Sequence, residues 1–244
     1  MILQQLNELK GGKKGIAWLV DPDKCELAGL QEKSQLVAEL GIDLILVGGS
    51  LLFRSIEPVI RELKKSIRVP VIIFPGSAMQ ISREADGILL LSLISGRNAD
   101  YLIGQHVVAA PILADTQLEI LPTGYILVEG GSVTTVQYIS NTKPIPKDKP
   151  ELAMATALAG AMLGLSLIYL DAGSGALAPV PANMIREVSS AVNLPVIVGG
   201  GIRTPGEAEK AWQAGADLIV VGNAAETRMD VLTEIVAVRN RFNS

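Results

Sequence analysis

The stretch V-G-G-G-I at residues 198–202 and the stretch V-V-G-N-A at residues 220–224 decide how this chain is expected to fold. Each stretch follows an apolar run typical of a buried strand and precedes a helical pattern, so each marks a strand-to-helix turn. Backbone N–H groups at two adjacent helix N-termini can converge on one phosphate group. In a (β/α)₈ barrel the loops after strands 7 and 8 usually form such a site. The alternative, that the glycines only make tight turns, stays open for either turn taken alone.

Apolar, β-rich runs recur along the whole chain with helical segments between them, which is typical of a parallel sheet covered by helices. Eight strands are predicted, over residues 15–20, 43–47, 69–74, 87–93, 120–128, 166–170, 194–198 and 218–221. Helices are predicted over residues 26–40, 57–66, 98–108, 151–163, 182–192, 205–214 and 230–241, and residues 2–9 also have helical spacing. Residues 76–83 are too few for a full helix. The sequence therefore predicts an α/β protein, a single TIM-barrel domain over residues 1–244 with one helix reduced or missing after strand 3.

The composition excludes several classes of protein. A formal net charge of −4 over 244 residues gives no basic field, so nucleic acid is not an expected partner. Cys25 is the only cysteine, which excludes an internal disulfide and leaves no thiol partner for a zinc site. The apolar runs are interrupted well before the ~20 residues that span a bilayer, and the N-terminal residues do not resemble a secretion signal. We expect a cytoplasmic protein that can still contact a membrane peripherally through an apolar edge.

Polar residues follow the first and second predicted strands. The segment V-D-P-D-K, residues 20–24, places Asp21, Asp23 and Lys24 at the mouth of the barrel, and V-G-G-S, residues 47–50, places Ser50 beside them. A carboxylate and a hydroxyl, with room for water and substrate oxygens, are suited to hold Mg²⁺. The Asp-Pro-Asp sequence also fits a turn in which an aspartate caps the next helix, and this alternative is stronger for Asp23 than for Asp21.

The sixth predicted strand runs into Y-L-D-A-G-S-G-A, residues 169–176. Asp171 is expected to point into the mouth, and the glycines beside Ser174 let the backbone approach a ligand closely. The alternative for Asp171 is an N-cap or a salt bridge to a nearby lysine. The single histidine, His106, falls on a predicted helix without a second His or Cys, so a structural role is expected. No Ser-His or Cys-His couple is apparent, which disfavours nucleophilic acyl transfer.

Taken together, these segments resemble the geranylgeranylglyceryl phosphate synthase family and its bacterial heptaprenylglyceryl phosphate relatives. The resemblance rests on V-D-P-D-K, V-G-G-S, Y-L-D-A-G-S-G-A, V-G-G-G-I-R and V-G-N, which occur in this order from the first strand to the last. The segment K-P-I-P-K-D-K-P-E-L-A followed by A-T-A-L-A-G-A-M-L-G resembles the longer subgroup of that family.

The resemblance implies an Mg²⁺-dependent prenyltransferase that joins sn-glycerol 1-phosphate to a polyprenyl diphosphate. It implies Mg²⁺ ligation by Asp21 and Ser50. The residues themselves make Asp171 the candidate catalytic residue, which orients the attacking hydroxyl or acts as its general base. The family often has Glu where this chain has Asp171, so a water molecule is an alternative link between the shorter carboxylate and the glycerol hydroxyl. The positions that correspond to the family's glycerol phosphate site are Tyr169, Leu170, Asp171, Ala172, Gly173, Ser174, Gly175, Gly200, Gly201, Gly222 and Asn223.

A long apolar substrate needs a groove, and a missing helix after the third strand would leave one along the side of the barrel. Tyr101 is the candidate for contact with the prenyl chain. We also expect a homo-oligomer, because the apolar helix over residues 152–163 carries small residues that can pack against another subunit or against the barrel. The loop over residues 141–150, rich in Lys and Pro, lies where active-site lids occur.

Two other functions are alternatives for a barrel with these residues. A different phosphate-binding barrel enzyme, such as a sugar-phosphate isomerase or aldolase, would need an acid–base pair or a Schiff-base lysine at a strand end. Asp21 could act as a base, but no lysine ends a predicted strand. A non-catalytic, ligand-binding barrel is disfavoured by the polar residues at several strand ends.

Overall fold

Residues 1–244 are described by a computed structural model, in which eight parallel strands close a barrel in the order β1 to β8. The closed (β/α)₈ barrel confirms the predicted fold. The strands are β1 (Gly15–Val20), β2 (Leu44–Gly49), β3 (Val71–Pro75), β4 (Gly87–Leu93), β5 (Glu119–Leu127), β6 (Leu167–Asp171), β7 (Val196–Gly199) and β8 (Leu218–Val221).

Ten α-helices surround or close the barrel. They are α1 (Ile2–Lys10), α2 (Leu30–Glu39), α3 (Glu57–Ser66), α4 (Gln105–Ala114), α5 (Thr135–Ser140), α6 (Pro150–Met162), α7 (Ala182–Ala191), α8 (Pro205–Gln213), α9 (Asn223–Thr227) and α10 (Asp230–Phe242). No helix joins β3 to β4, so the missing helix after strand 3 is confirmed. None of the helices combines the length and the apolar character needed to cross a membrane.

The helices differ from the sequence prediction at identifiable places. The predicted helix over residues 26–40 begins only at Leu30, because Gly29 has φ 84° and its left-handed backbone cannot continue a helix. The helix predicted over residues 98–108 starts with a π-helical turn, Asp100–Gly104, and continues as α4. The short helix α5 was not predicted, and α9 follows the V-V-G-N-A turn, where a helical pattern was expected but no range was assigned. The start of α8 agrees with the sequence, since Thr204 and Glu207 form a capping box.

Side chains alternate between two apolar layers. One layer fills the barrel interior and is closed at the amino end by Ile2, Leu6 and Leu9 of α1. The other, larger layer lies between the strands and the surrounding helices. Near the carboxyl ends of the strands, the interior holds three aromatic rings: Phe74 stacks on Tyr169 at 5.2 Å between centroids, and Tyr125 is tilted against Tyr169 at 5.5 Å. These rings form the floor beneath the mouth of the barrel.

Carboxylates tie neighbouring segments together at the amino ends of the strands. Asp43 accepts a hydrogen bond from the Ile16 N–H, and Asp217 accepts one from the Val196 N–H. Asp86 does the same for Val71, and Glu119 receives the first two N–H groups of α1. These bonds stabilise the end of the barrel opposite to the one where (β/α)₈ enzymes carry their chemistry.

Candidate active site

A cavity of about 390 Å³ opens at the carboxyl ends of the strands. It brings together most of the residues singled out in the sequence, although they are spread from β1 to α9. The predicted site residues that line it are Asp21, Ser50, Tyr169, Asp171, Gly173, Ser174, Gly175, Gly200, Gly201, Gly222 and Asn223. Leu170 and Ala172 do not line it. Their side chains are buried in the outer apolar layer, because alternate residues along a strand face opposite sides of the sheet.

Asp171 is the last residue of β6, and its carboxylate is held from two sides. Tyr125 Oη donates a hydrogen bond to Oδ2 at 2.5 Å, and the Gly173 N–H donates one to Oδ1 at 2.8 Å. A carboxylate can accept about four hydrogen bonds, so Asp171 retains acceptor sites toward the cavity. Neither alternative expected for Asp171 is present. No lysine or arginine forms a salt bridge with it, and the N–H group that it binds, that of Gly173, belongs to the turn after β6 and not to a helix. The site thus presents a buried carboxylate whose orientation is fixed.

Burial raises the pKa values of Asp171, Tyr125 and Tyr169, but hydrogen bonds oppose this rise only for Asp171. Burial raises the pKa of Asp171, while the hydrogen bonds from Tyr125 and Gly173 act in the opposite direction. Burial, reinforced by the charge of Asp171, raises the pKa of Tyr125 and of Tyr169 well above the usual tyrosine value. The two phenols therefore stay protonated, and Tyr125 is a permanent hydrogen-bond donor to the carboxylate.

The two glycine turns face the cavity from β7 and β8. Gly200 and Gly201 have φ values of 76° and 75°, a left-handed backbone that favours glycine. Space is equally restrictive, since a Cβ atom at Gly200 would lie 2.6 Å from Asp171 Oδ1, and one at Gly201 would lie 2.7 Å from the Ala178 backbone. The N–H groups of Gly200 and Gly201 donate to no backbone carbonyl, which leaves them free for an anion.

Only one of the two turns opens directly into a helix. Gly222 immediately precedes α9, as the sequence suggested for both turns. In contrast, α8 begins five residues after Gly200, and the Glu207 N–H in its first turn is occupied by the Thr204 hydroxyl of the capping box. The expectation of two convergent helix N-termini is therefore wrong for the first turn. There, the donors that face the cavity belong to the glycine turn itself.

Asp21 and Ser50 directly follow two neighbouring strands, β1 and β2. A Cβ atom at Gly49, the residue before Ser50, would be 4.0 Å from Asp21 Cγ, and both Asp21 and Ser50 line the cavity. The structure has no cluster of three or more His, Cys, Asp or Glu side chains placed around one metal position. Two oxygen donors nevertheless fit Mg²⁺, which commonly takes one or two protein ligands and completes its shell with water and substrate phosphates.

The Asx-type turn in Asp-Pro-Asp is made by Asp21, whose Oδ1 accepts a hydrogen bond from the Asp23 N–H at 3.0 Å. Asp23 has a structural role, but it does not cap the next helix. Its carboxylate accepts hydrogen bonds from the N–H groups of Phe53 and Arg54, at 3.0 Å and 2.8 Å, and so joins the loop after β1 to the loop after β2. His106 is also structural, with Nε2 3.0 Å from the Leu91 carbonyl oxygen.

Three charged residues at the mouth were not assigned a role from the sequence. Lys24 Nζ lies 3.1 Å from Asp21 Oδ2 and 3.4 Å from Glu226 Oε2. Burial tends to lower the pKa of Lys24, but the hydrogen bond to Asp21 and the charge of Glu226 outweigh it and raise the pKa. Arg203 donates to the carbonyl oxygens of Ala176 and Leu177 and so holds the loop after β6.

A second cavity of about 370 Å³ adjoins the first where the helix after β3 is missing. Tyr101 and Ile81 line both cavities, as does Ser50. The second cavity runs along the segments that follow β2 and β3, so the mouth continues sideways into a groove on the barrel flank. Phe53 and Met79 border it and are largely exposed.

Tyr125 also lines the cavity, and its contact with Asp171 was not predicted from the sequence. The alternation of side chains along β5 predicts that Tyr125 points into the barrel. Which residue of β6 it meets depends on the register between β5 and β6. In the structure Tyr125 is paired with Tyr169, and Leu127 with Asp171. An aromatic residue with a polar tip, in a strand beside the one that carries Asp171, is the signal that could have indicated it.

Comparison with known proteins agrees with this geometry. The model of the PcrB family matches residues 13–239. The chain is 54% identical over 233 residues to the geranylgeranylglyceryl phosphate synthase of Spirosoma linguale, covering 95% of this chain and 94% of the relative. It is 42% identical to the protein of the same name from Pyrococcus abyssi, over 92% of this chain and 89% of that one. A crystal structure of (S)-3-O-geranylgeranylglyceryl phosphate synthase from Thermoplasma acidophilum, in complex with its substrate sn-glycerol-1-phosphate, superposes with a TM-score of 0.93 at 34% identity and 99% coverage of both chains.

Proposed function

We propose that this chain, which belongs to the PcrB family, is a prenyltransferase that joins sn-glycerol 1-phosphate to geranylgeranyl diphosphate or a similar polyprenyl diphosphate. The reaction forms the ether bond of geranylgeranylglyceryl phosphate and releases diphosphate. The observation that carries the proposal is one cavity in which the buried carboxylate of Asp171 faces two glycine turns, at Gly200 and Gly222. The named relatives, similar over nearly the whole chain, favour this function over a sugar-phosphate isomerase, an aldolase or a non-catalytic barrel.

Asp171 is proposed to act on the attacking hydroxyl of glycerol phosphate. The oxygen of that hydroxyl attacks the first carbon of the prenyl chain, a C–O bond forms, and the bond from that carbon to the diphosphate oxygen breaks with its electron pair. Asp171 accepts the hydroxyl proton as a general base, directly or through one water molecule. Tyr125 and Gly173 supply its orientation by fixing one carboxylate oxygen each.

The glycine turns are proposed to bind the phosphate group of glycerol phosphate. Support comes from the N–H groups of Gly200 and Gly201, which have no backbone acceptor, and from Gly222, which opens α9. Asn223 and Ser174 lie together at this point, with 3.5 Å between the Ser174 hydroxyl and Asn223 Oδ1. Backbone N–H groups at a turn and at a helix start are well suited to a phosphate dianion.

Asp21 and Ser50 are the residues that would hold Mg²⁺, and their oxygen donors support this assignment. When bound there, Mg²⁺ neutralises diphosphate charge and makes it a better leaving group. The chain contributes positioning as well: the Asp23 carboxylate ties together the loops that carry Asp21 and Ser50. Reactant positioning of this kind can account for a large part of the rate enhancement.

The prenyl chain is proposed to lie in the side cavity, along the flank that lacks a helix. Tyr101 is the candidate for contact with it, because this residue borders both cavities. The apolar residues around the groove, among them Ile81 and Ile139, suit an isoprenoid chain.

The test is a reaction of the purified chain with radiolabelled glycerol phosphate and prenyl diphosphates of several lengths. We expect a prenylated glycerol phosphate and release of one diphosphate for each product formed, both dependent on Mg²⁺. The Asp171→Asn variant is the matched negative control, since it keeps the side-chain shape. Absence of product with every donor, from a folded protein that binds glycerol phosphate, would refute the proposed reaction.

A homo-oligomer, a cytoplasmic location and peripheral membrane contact remain part of the proposal. Support for a homo-oligomer comes from the apolar outer surfaces of α4 and α6: Val107 and Val108 are 65% and 62% exposed, and Met162 and Leu163 are 83% and 78% exposed. Exposed apolar patches of this kind mark interaction surfaces. Light scattering in solution tests the assembly, and a monomeric mass would contradict it.

A further inference from the structure

The charges around the main cavity are unbalanced for a site that takes two anionic substrates. Four of the charged side chains that line it are acidic, namely Asp21, Asp23, Asp171 and Glu226, and only Lys24 and Arg203 are basic. A phosphate and a diphosphate brought close together repel each other and these carboxylates. A cation from the protein would reduce this repulsion in addition to any metal ion.

Arg203 is already engaged elsewhere. Its guanidinium donates to the carbonyl oxygens of Ala176 and Leu177, and its backbone N–H donates to Glu207. This arrangement fixes the loop between β6 and α7 to the first turn of α8. Lys24 differs, because its ammonium contacts only carboxylates, and its side chain remains 47% exposed at the mouth.

Lys24 lies between the residues that follow β1 and β2, Asp21 and Ser50, and the glycine turn that opens α9. The residue follows β1, and a backbone hydrogen bond of 3.1 Å from its N–H to the Asp21 carbonyl oxygen holds it in a tight turn. Its ammonium reaches Asp21 on one side and Glu226 of α9 on the other, at 3.1 Å and 3.4 Å. Since α9 starts at the second glycine turn, Lys24 spans the gap between the Asp21 and Ser50 pair and the phosphate-binding turns.

We propose that the Lys24 ammonium binds the diphosphate group of the prenyl substrate, with Glu226 as the residue that positions it. This inference rests on the proposed prenyl transfer and adds a substrate-binding residue to it. An ammonium with three rotatable donors can keep one bond to Glu226 while it donates to diphosphate oxygens. As the bond to the prenyl carbon breaks, negative charge grows on the leaving diphosphate, and the same contact becomes stronger.

The test compares Lys24→Gln and Lys24→Arg with the wild-type protein, with inorganic diphosphate plus Mg²⁺ as the probe in titration calorimetry. We expect Lys24→Gln to weaken diphosphate binding by about tenfold or more, the usual effect of losing a hydrogen bond between charged groups. Lys24→Arg keeps the charge and should restore most of the affinity. Glycerol phosphate binding should change much less in both variants. Lys13→Gln is the matched control, because it makes the same charge change on an exposed lysine before β1, at the opposite end of the barrel.

Several outcomes would overturn the inference: wild-type affinity for diphosphate in Lys24→Gln, no binding of diphosphate by the wild type, or equal weakening for both ligands with a lowered melting temperature. The last of these would mean that Lys24 only joins the loops. Product formation by the wild type is scored separately. If no prenylated product forms while diphosphate binding still depends on Lys24, the proposed reaction fails and the binding role of Lys24 stands.

Discussion

Replacing Tyr125 by Phe removes a single oxygen from the most buried part of the site and tests whether Asp171 works as an ionised base. The ring is held by Phe74 and Tyr169, so the aromatic packing survives the change. What is lost is the 2.5 Å hydrogen bond to Asp171 Oδ2. Hydrogen bonds to charged groups contribute about 1.5–3 kcal/mol, and this one favours the ionised carboxylate.

The sign of the expected pH effect follows from the environment. Burial raises the pKa of Asp171, and the Tyr125 hydrogen bond opposes that rise. Without the hydrogen bond the pKa moves further up, so the acidic limb of the kcat profile shifts to higher pH. Below the wild-type pKa of this carboxyl, the variant should lose about 10- to 100-fold in kcat, if the whole hydrogen-bond energy opposes ionisation. At higher pH the loss should shrink as the carboxyl ionises.

The assay is kcat measured at saturating substrates across the pH range, with folding checked by circular dichroism at each pH. Tyr169→Phe is the matched control, because it removes a phenol from the same ring cluster that does not hydrogen-bond to Asp171. Its acidic limb should stay near the wild-type position. An unshifted acidic limb in folded Tyr125→Phe would show that Asp171 does not act as the titrating base.

Three further substitutions test the assigned roles. Asp21→Asn should leave folding intact and abolish most activity, because one charge that faces Mg²⁺ is lost; wild-type turnover at saturating Mg²⁺ would contradict this role. Gly222→Val should be tolerated by the fold, because the new Cβ meets only the movable Leu19 side chain, at 3.3 Å. The added methyl groups crowd the turn, so KM for glycerol phosphate should rise far more than KM for the prenyl donor, and equal effects on both KM values would argue against the phosphate position. Asp171→Asn should lower kcat by about 10²-fold or more, with a smaller effect on glycerol phosphate binding, whereas Asp171→Glu should retain substantial activity because it keeps the charge. Unchanged turnover in Asp171→Asn, or an Asp171→Glu enzyme that is equally inactive, would return Asp171 to a structural role.

The barrel was predictable from the sequence because each buried strand is a short apolar run with a helical pattern after it. The missing helix was predictable too, since the chain between β3 and β4 has too few residues for one. Strand ends were displaced by one or two residues, as at β2, which extends to Gly49. Hydrogen bonding to the neighbouring strand sets those ends, and a single sequence does not contain that information.

The contacts that organise the site were less predictable. Tyr125 and Asp171 are separated by 46 residues, and they meet because of the register between β5 and β6. Periodicity indicates which side chains face inward, but it leaves the register undetermined. The role of Asp23 was not predicted, because it depends on how the N–H groups of Phe53 and Arg54, in the loop after β2, lie against the loop after β1. The same holds for Lys24, whose partner Glu226 lies at the other end of the chain.

The absent helix between β3 and β4 has a consequence for the thermodynamics of the whole protein. In other sectors of the barrel a helix covers the strands, whereas here the groove lined by Ile81 and Phe53 meets water. A prenyl chain lying in that groove would complete the apolar outer layer and serve in place of the missing element. Substrate would then add to the free energy of unfolding, by about 2.7 kcal/mol at one hundred times Kd. The protein would be most resistant to heat and proteolysis when its lipid precursor is abundant, so the supply of substrate would regulate how long the enzyme persists.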